Sequence, residues 1–144
     1  MPPDPAIIDA LGATDLFRSL DRRALNKVAG AVKTTEHDAG KVLTTQGRDG
    51  VAFHLILEGT ATVSVDGRPG RQIGKGAYFG EISMIDGEPR SATVTADEPL
   101  KTAALTAWEF RPLLDDEPSI AKALLLVMCG RLRQAERTTS APAD

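Results

Sequence analysis

Apolar residues recur at two different periods along this chain, and the change from one to the other divides it into three stretches. Ile7, Ile8, Leu11, Leu16, Phe17, Leu20, Leu25, Val28 and Ala29 are spaced as on helices, with breaks at Gly12 and at Ser19 to Asp21, which predicts two short helices. From Val32 to Leu105 the apolar runs shorten. They are punctuated by His37-Asp38-Ala39-Gly40, Gly47-Arg48-Asp49-Gly50, Glu58-Gly59, Asp66-Gly67-Arg68-Pro69-Gly70, Gly74-Lys75-Gly76 and Asp97-Glu98-Pro99. Turn signals at that density predict an antiparallel sandwich or barrel, with strands at Val32–Glu36, Lys41–Thr45, Ala52–Leu57, Ala61–Val65, Arg71–Ile73, Ala92–Ala96 and Leu100–Leu105.

After Thr106 the helical period returns. Trp108 to Leu114 predicts one helix, and Asp115-Asp116-Glu117-Pro118-Ser119 ends it and opens the next, since acidic residues and proline suit a helix N-terminus. The last helix is expected to reach about Arg137. Its first half, Ile120 to Cys129, is apolar around much of its circumference and is expected to be buried. Between Gly130 and Arg137 only Leu132 and Ala135 are apolar, so that half is expected to be mobile and Thr138 to Asp144 to be disordered.

A length of 144 residues is enough for one core and short for two domains. The formal net charge of −3 supplies no general positive field for nucleic acid or an acidic membrane, so any anion has to be held by local chemistry. The single Cys129 has no internal disulfide partner and lies in an apolar helical run, which predicts a core role and a reducing, cytoplasmic setting. Met1 to Ala10 lacks a basic segment followed by an apolar one, and the apolar run Ala123 to Cys129 is far short of a bilayer span. A soluble protein without a membrane segment is expected.

The candidate chemistry lies in Phe79 to Val94, FGEISMIDGEPRSATV. One carboxylate, Glu81, and one guanidinium, Arg90, sit nine positions apart across a short glycine-bounded segment, a combination suited to gripping a small anion. A solvated surface pair is the plainer reading of two such residues, and it would contribute under about 1 kcal/mol. The complete string decides against it. Phe-Gly-Glu, an apolar turn, Gly-x-Pro-Arg and Ser-Ala-Thr-Val together resemble the phosphate-binding cassette of cyclic nucleotide-binding domains.

The resemblance extends over residues 14–136, taking in the helices before the barrel, the run Gly47 to Gly59 leading into a hairpin, and the two closing helices. It implies three segments: a lead-in at 1–13, a cyclic nucleotide-binding domain at 14–136 and a disordered tail at 137–144. The implied fold is mainly β, a β-roll or jelly-roll barrel (a double-stranded β-helix) with N-terminal helices and two C-terminal helices. Arg is planar and permanently charged, so Arg90 would clamp the exocyclic oxygens of a cyclic phosphodiester through paired hydrogen bonds. Gly80 would let the backbone approach the ligand. Glu81 would accept a hydrogen bond from the ribose 2′-hydroxyl. Phe79, Ile82, Ser83, Ser91 and Ala92 complete the implied site, with the cassette at 79–92 and Arg131, Leu132 and Ala135 as a purine lid. Many relatives cap the purine with an aromatic side chain from the C-terminal region, and this chain has none after Phe110.

The ligand implied is cAMP, with cGMP the alternative, and no cofactor or catalytic machinery. By resemblance, Ile82 packing on Phe110 or Leu113 would pass ligand-driven movement to the last helix. The output would be a protein partner or an effector domain in a longer regulator, and the C-terminal helix offers a route to an oligomer. Two rivals use the same barrel: a non-binding interaction scaffold, and a metal-dependent cupin-type enzyme. The cupin needs paired histidines on one strand, and His54 stands alone, with His37 and Cys129 too few and too far apart in sequence. Gly74 to Gly80 superficially matches a dinucleotide fingerprint, but its third glycine is one position late and it lies among predicted strands. Ser83 and Ser91 have no histidine near in sequence to activate them, and Asp115-Asp116-Glu117 is accounted for by helix capping.

Overall fold

The short apolar stretches form two four-stranded antiparallel sheets. The computed structural model describes residues 3–140; Met1, Pro2 and the Ala141 to Asp144 part of the expected tail lie outside the described residues. In chain order the elements are α1 (Pro5–Gly12), α2 (Arg22–Ala31), β1 (Lys33–His37), β2 (Val42–Thr44), β3 (Ala52–Glu58), β4 (Ala61–Val65), β5 (Arg68–Ile73), β6 (Tyr78–Phe79), α3 (Glu81–Asp86), β7 (Thr93–Ala96), β8 (Leu100–Thr106), α4 (Ala107–Asp116) and α5 (Pro118–Ser140). One sheet runs β1-β8-β3-β6 and the other β2-β7-β4-β5, so the chain crosses repeatedly between them as in a β-roll. The predicted β-roll with flanking helices is the architecture observed.

Side-chain alternation along β3 explains why Ala52 to Leu57 reads as a nearly continuous apolar run. Phe53 and Leu55 face the helices, where they join Leu11, Leu16, Phe17, Val28, Met84, Phe110 and Ile120 in one core. Phe17 packs edge-on to Phe53, with ring centroids 6.1 Å apart, and 6.4 Å from Phe110, so three aromatic rings seat the helices on the sheet. Ile56 faces the other way and joins Ala61, Ile73, Phe79, Val94, Ala96 and Leu100 in a second core between the sheets. The Asp4 and Asp21 side chains cap α1 and α2 by accepting from Ala6 N (2.9 Å) and Ala24 N (2.8 Å).

Four local expectations are corrected. Arg68, Pro69 and Gly70 belong to a strand rather than a turn, because Asp66 (φ 54°) and Gly67 (φ 74°) alone turn the β4–β5 hairpin. Pro69 is tolerated there since β5 is an edge strand, with no neighbour needing its missing N–H. The two-residue β6, too short to show a period, went unrecognised in the sequence. The last helix runs past Arg137 through Ser140, Thr138 and Thr139 bonding back to the carbonyls of Gln134 and Ala135.

The fourth correction concerns α5. Ile120, Ala123 and Leu124 are buried, but Leu125 is 65 % exposed and Leu126 61 %, and Cys129 is exposed rather than in the core. An apolar run that wraps a helix at 100° per residue can bury only the side that meets its neighbours. At its start α5 is held firmly: Glu117 meets Arg23 of α2 at 3.2 Å and Lys27 at 2.9 Å. Capping alone therefore does not account for the acidic triplet, because Glu117 makes this cross-helix bridge.

Candidate functional site

Glycine geometry places the cassette. Gly80 ends β6 at φ 85°, and a Cβ there would stand 2.4 Å from the Ala52 carbonyl oxygen and 2.6 Å from Arg90 Nη1, so both conformation and space require glycine. α3 then begins with Glu81, and no side chain caps its first turn. Gly87 (φ 73°) closes it, its N–H bonded to Ser83 O at 2.8 Å. The chain returns through Pro89 to Arg90, whose own backbone is pinned to the 47–50 loop by Gly47 N to Arg90 O (2.8 Å) and Arg90 N to Arg48 O (2.9 Å).

Arg90 is only 7 % exposed. Nη2 donates to Ala52 O at 2.8 Å and Nη1 makes a long contact of 3.4 Å to Gly80 O, so backbone carbonyls orient the guanidinium and leave the rest of its fork open. Burial pulls its pKa down and the Glu81 charge opposes that pull; arginine starts high enough to stay a cation. Gly50 makes this placement possible, because a Cβ there would fall 2.5 Å from Arg90 Nε.

Glu81 is the counterpart on α3, with its side chain 14 % exposed. Oε1 accepts from Arg131 Nη1 at 3.2 Å, while Oε2 is buried with no hydrogen-bond partner. A buried carboxylate oxygen left in that state is costly and calls for a donor.

A cavity of about 40 Å³ is lined by Gly80, Glu81, Ile82, Ser83, Arg90, Ser91 and Ala92, together with Thr44 and Val94. Seven of the expected ligand residues therefore meet. Phe79 does not join them: it lies in the core between the sheets, stacked on His54 with ring centroids 5.1 Å apart. Ile82 is 44 % exposed, and among the residues of α3 it is Met84 and Ile85 that pack in the core holding Phe110. Of the expected lid, Arg131 lines a second cavity of about 690 Å³ beside Glu81, Tyr78, Arg71 and Ile73, whereas Leu132 (61 % exposed) and Ala135 line neither.

These observations agree with a comparison of the sequence to known families: the cyclic nucleotide-binding domain model matches residues 34–117. The chain belongs to the cyclic nucleotide-binding domain family. Its domain is similar to part of a cyclic nucleotide-gated potassium channel from Rhizobium etli, 34 % identical over 114 residues, covering 79 % of this chain and 32 % of the channel. It is also similar to a cAMP-dependent protein kinase regulatory subunit from Eremothecium gossypii, 39 % identical over 107 residues, covering 74 % of this chain and 23 % of that subunit. The chain thus spans about a third or less of these relatives. Among solved structures, the N-terminal domain of a transcriptional regulator from Streptomyces coelicolor A3(2) superposes with a TM-score of 0.80 at 29 % identity, over 94 % of this chain and 97 % of that one.

The remaining candidates of the cyclic nucleotide-binding domain take structural places. Gly74 to Ala77 is a tight turn, with Ala77 N bonded to Gly74 O at 2.9 Å, and it leads into a strand, not a helix. His54 Nδ1 bonds Thr102 Oγ1 at 2.8 Å inside the barrel, and burial, then His37 and Arg90, push its pKa down to about 4. Among the described residues no group of three or more His, Cys, Asp or Glu is placed to hold a metal ion, and no helix is long and apolar enough to cross a membrane.

Proposed function

We propose that the domain binds cAMP as a cytoplasmic, non-catalytic sensor, residues 14–136 forming the binding unit. Arg90 clamps the cyclic phosphate and Glu81 Oε2 accepts the ribose 2′-hydroxyl. The observation that carries this reading is the pairing, on one small cavity, of a buried cation whose fork is held by backbone with a buried carboxylate oxygen that lacks a donor.

Volume supports the same assignment. A cavity of about 40 Å³ is far smaller than the several hundred Å³ that a whole nucleotide-sized ligand fills, and it suits the charged phosphate alone. The nucleoside has to continue into a neighbouring space. Glu81 lines both the small cavity and the 690 Å³ one, so a ribose bonded to it directs the purine toward Ile73, Ala77, Tyr78 and Arg131. Arg131 then covers the purine by cation–π attraction, in place of the missing aromatic cap. Gly80, Ile82, Ser83, Ser91 and Ala92 form the cradle, with cGMP the weaker ligand.

The signal passes to a protein partner or to an effector domain in a longer regulator. The exposed Leu125, Leu126 and Leu132 on α5 offer a face for association through that helix. Calorimetric titration with cAMP and cGMP, on wild type and Arg90→Ala, tests the reading. Removing one partner of a buried charge pair costs about 2–5 kcal/mol, a loss of roughly 30-fold to several thousand-fold in affinity. A folded Arg90→Ala variant with wild-type affinity would remove Arg90 from the site.

A further inference from the structure

Glu81 is the last member of a hydrogen-bonded chain that starts far from the cassette. Asp15 lies in the connection between α1 and α2, Tyr78 in β6 and Arg131 in α5. The Tyr78 hydroxyl donates to Asp15 Oδ1, Arg131 Nη2 donates to the same hydroxyl oxygen, and Arg131 Nη1 donates to Glu81 Oε1 at 3.2 Å. Donor chemistry fixes these directions. Arg has only donors to offer, so the Tyr78 oxygen must accept from it and turn its single hydrogen toward Asp15. Burial and the bond to Asp15 push the hydroxyl above its ordinary pKa despite the opposing pull of Arg131, which keeps that hydrogen in place.

We propose that Tyr78 and Asp15 are positioning residues for ligand recognition: through Arg131 they fix one oxygen of Glu81 and leave the other as the acceptor for the ligand's ribose hydroxyl. This rests on the assignment of Glu81 made above. A free carboxylate rotates and presents either oxygen. Here Oε1 is occupied and Oε2 is buried without a partner, so the acceptor is aimed before the ligand arrives. The Tyr78 ring has separate contacts, 5.6 Å from the Phe53 ring and 5.8 Å from the Arg131 guanidinium. Ring packing and hydroxyl bonding can therefore be separated.

The test is calorimetric titration of wild type, Tyr78→Phe, Asp15→Asn and Asp15→Ala with cAMP and with 2′-deoxy-cAMP. A hydrogen bond to a charged acceptor predicts that wild type prefers the ribo form by about tenfold or more. Tyr78→Phe keeps the ring and loses the chain, so the ribo preference should fall at least about threefold, any loss of the Arg131 cover over the purine falling on both nucleotides alike and cancelling in that ratio. Asp15→Asn retains an acceptor for the hydroxyl and should keep the preference; Asp15→Ala should lose it. A tether that only stiffens the fold would weaken both nucleotides alike and leave the preference unchanged in Tyr78→Phe, and that result overturns the proposal. A wild type that binds neither nucleotide instead sinks the underlying assignment of the site. In ligand-free protein the amides of residues 129–133 should exchange faster in Tyr78→Phe, and unchanged exchange would likewise count against the chain.

Discussion

Gly50→Ala is the perturbation that most directly separates the folding of this domain from its binding. The added methyl would lie 2.5 Å from Arg90 Nε, 3.0 Å from Nη2 and 3.1 Å from Cζ. Ordinary carbon contacts begin near 3.5 Å, so the guanidinium has to retreat by about 1 Å. Its 2.8 Å bond to Ala52 O does not survive that displacement. A hydrogen bond from a charged group contributes about 1.5–3 kcal/mol, which converts to a loss of about 10- to 150-fold in affinity for cAMP if Arg90 is the clamp. The fold should tolerate the change. Gly50 does not have a positive φ, and the crowding atoms belong to the end of a flexible side chain rather than to backbone. The assay pairs calorimetric titration with thermal unfolding. Wild-type affinity in a folded Gly50→Ala protein would refute the reasoning, because Arg90 would then be free to move without consequence for the ligand.

Two further outcomes follow from named groups. His54 has a folded pKa of about 4 against 6.5 for an ordinary histidine, so the unfolded chain takes up a proton first as the pH falls. Its contribution is nil above pH 7 and costs about 2 kcal/mol of stability between pH 7 and pH 5, and about 3 by pH 4. Denaturant unfolding of wild type and His54→Asn across that range should show the gap between them shifting in the variant's favour, and a gap constant with pH would contradict the burial argument. Gly130→Ala places its methyl in open space, so the change should stabilise the protein by about 1 kcal/mol and raise the melting temperature by about 2–4 °C. A drop in melting temperature would mean that α5 does not stay helical through Gly130.

What could be read in advance depended on whether the determinant was a local pattern or a meeting of distant atoms. Glu81, Arg90 and the glycine between β6 and α3 lie within one short segment, and their residue types carry the chemistry. The strands were legible because turn residues bound each one. By contrast, the Ala52 carbonyl that orients Arg90 is a backbone atom and leaves no trace in residue type. Gly50 could be read only as a turn, its role as clearance for Arg90 arising from a fold that brings β3 against the cassette. Thr44, which bonds Ala92 O at 3.0 Å, joins the site through strand pairing between β2 and β7. Arg131 is recognisable in the sequence as a residue near the ligand, but its ion pair with Glu81 is not, since a helix that closes against Glu81 can be identified only from the packing of α5. The exposure of Leu125, Leu126 and Cys129 was missed for a related reason: composition gives the apolarity of a helix but not the number of faces its neighbours cover.

The unequal anchoring of α5 makes it a lever. Ile120, Ala123 and Leu124 are held in the core and Glu117 is tied to α2, while Arg131 lies about 10 Å beyond Leu124 along the axis at about 1.5 Å per residue. Thr139 lies about 22 Å beyond the same pivot. A tilt of about 10° around Leu124 would carry Arg131 through about 2 Å and Thr139 through about 4 Å. The first displacement is enough to pull a 3.2 Å ion pair out of contact. The second is twice as large, so any tilt that starts at Glu81 would grow toward the far end of α5.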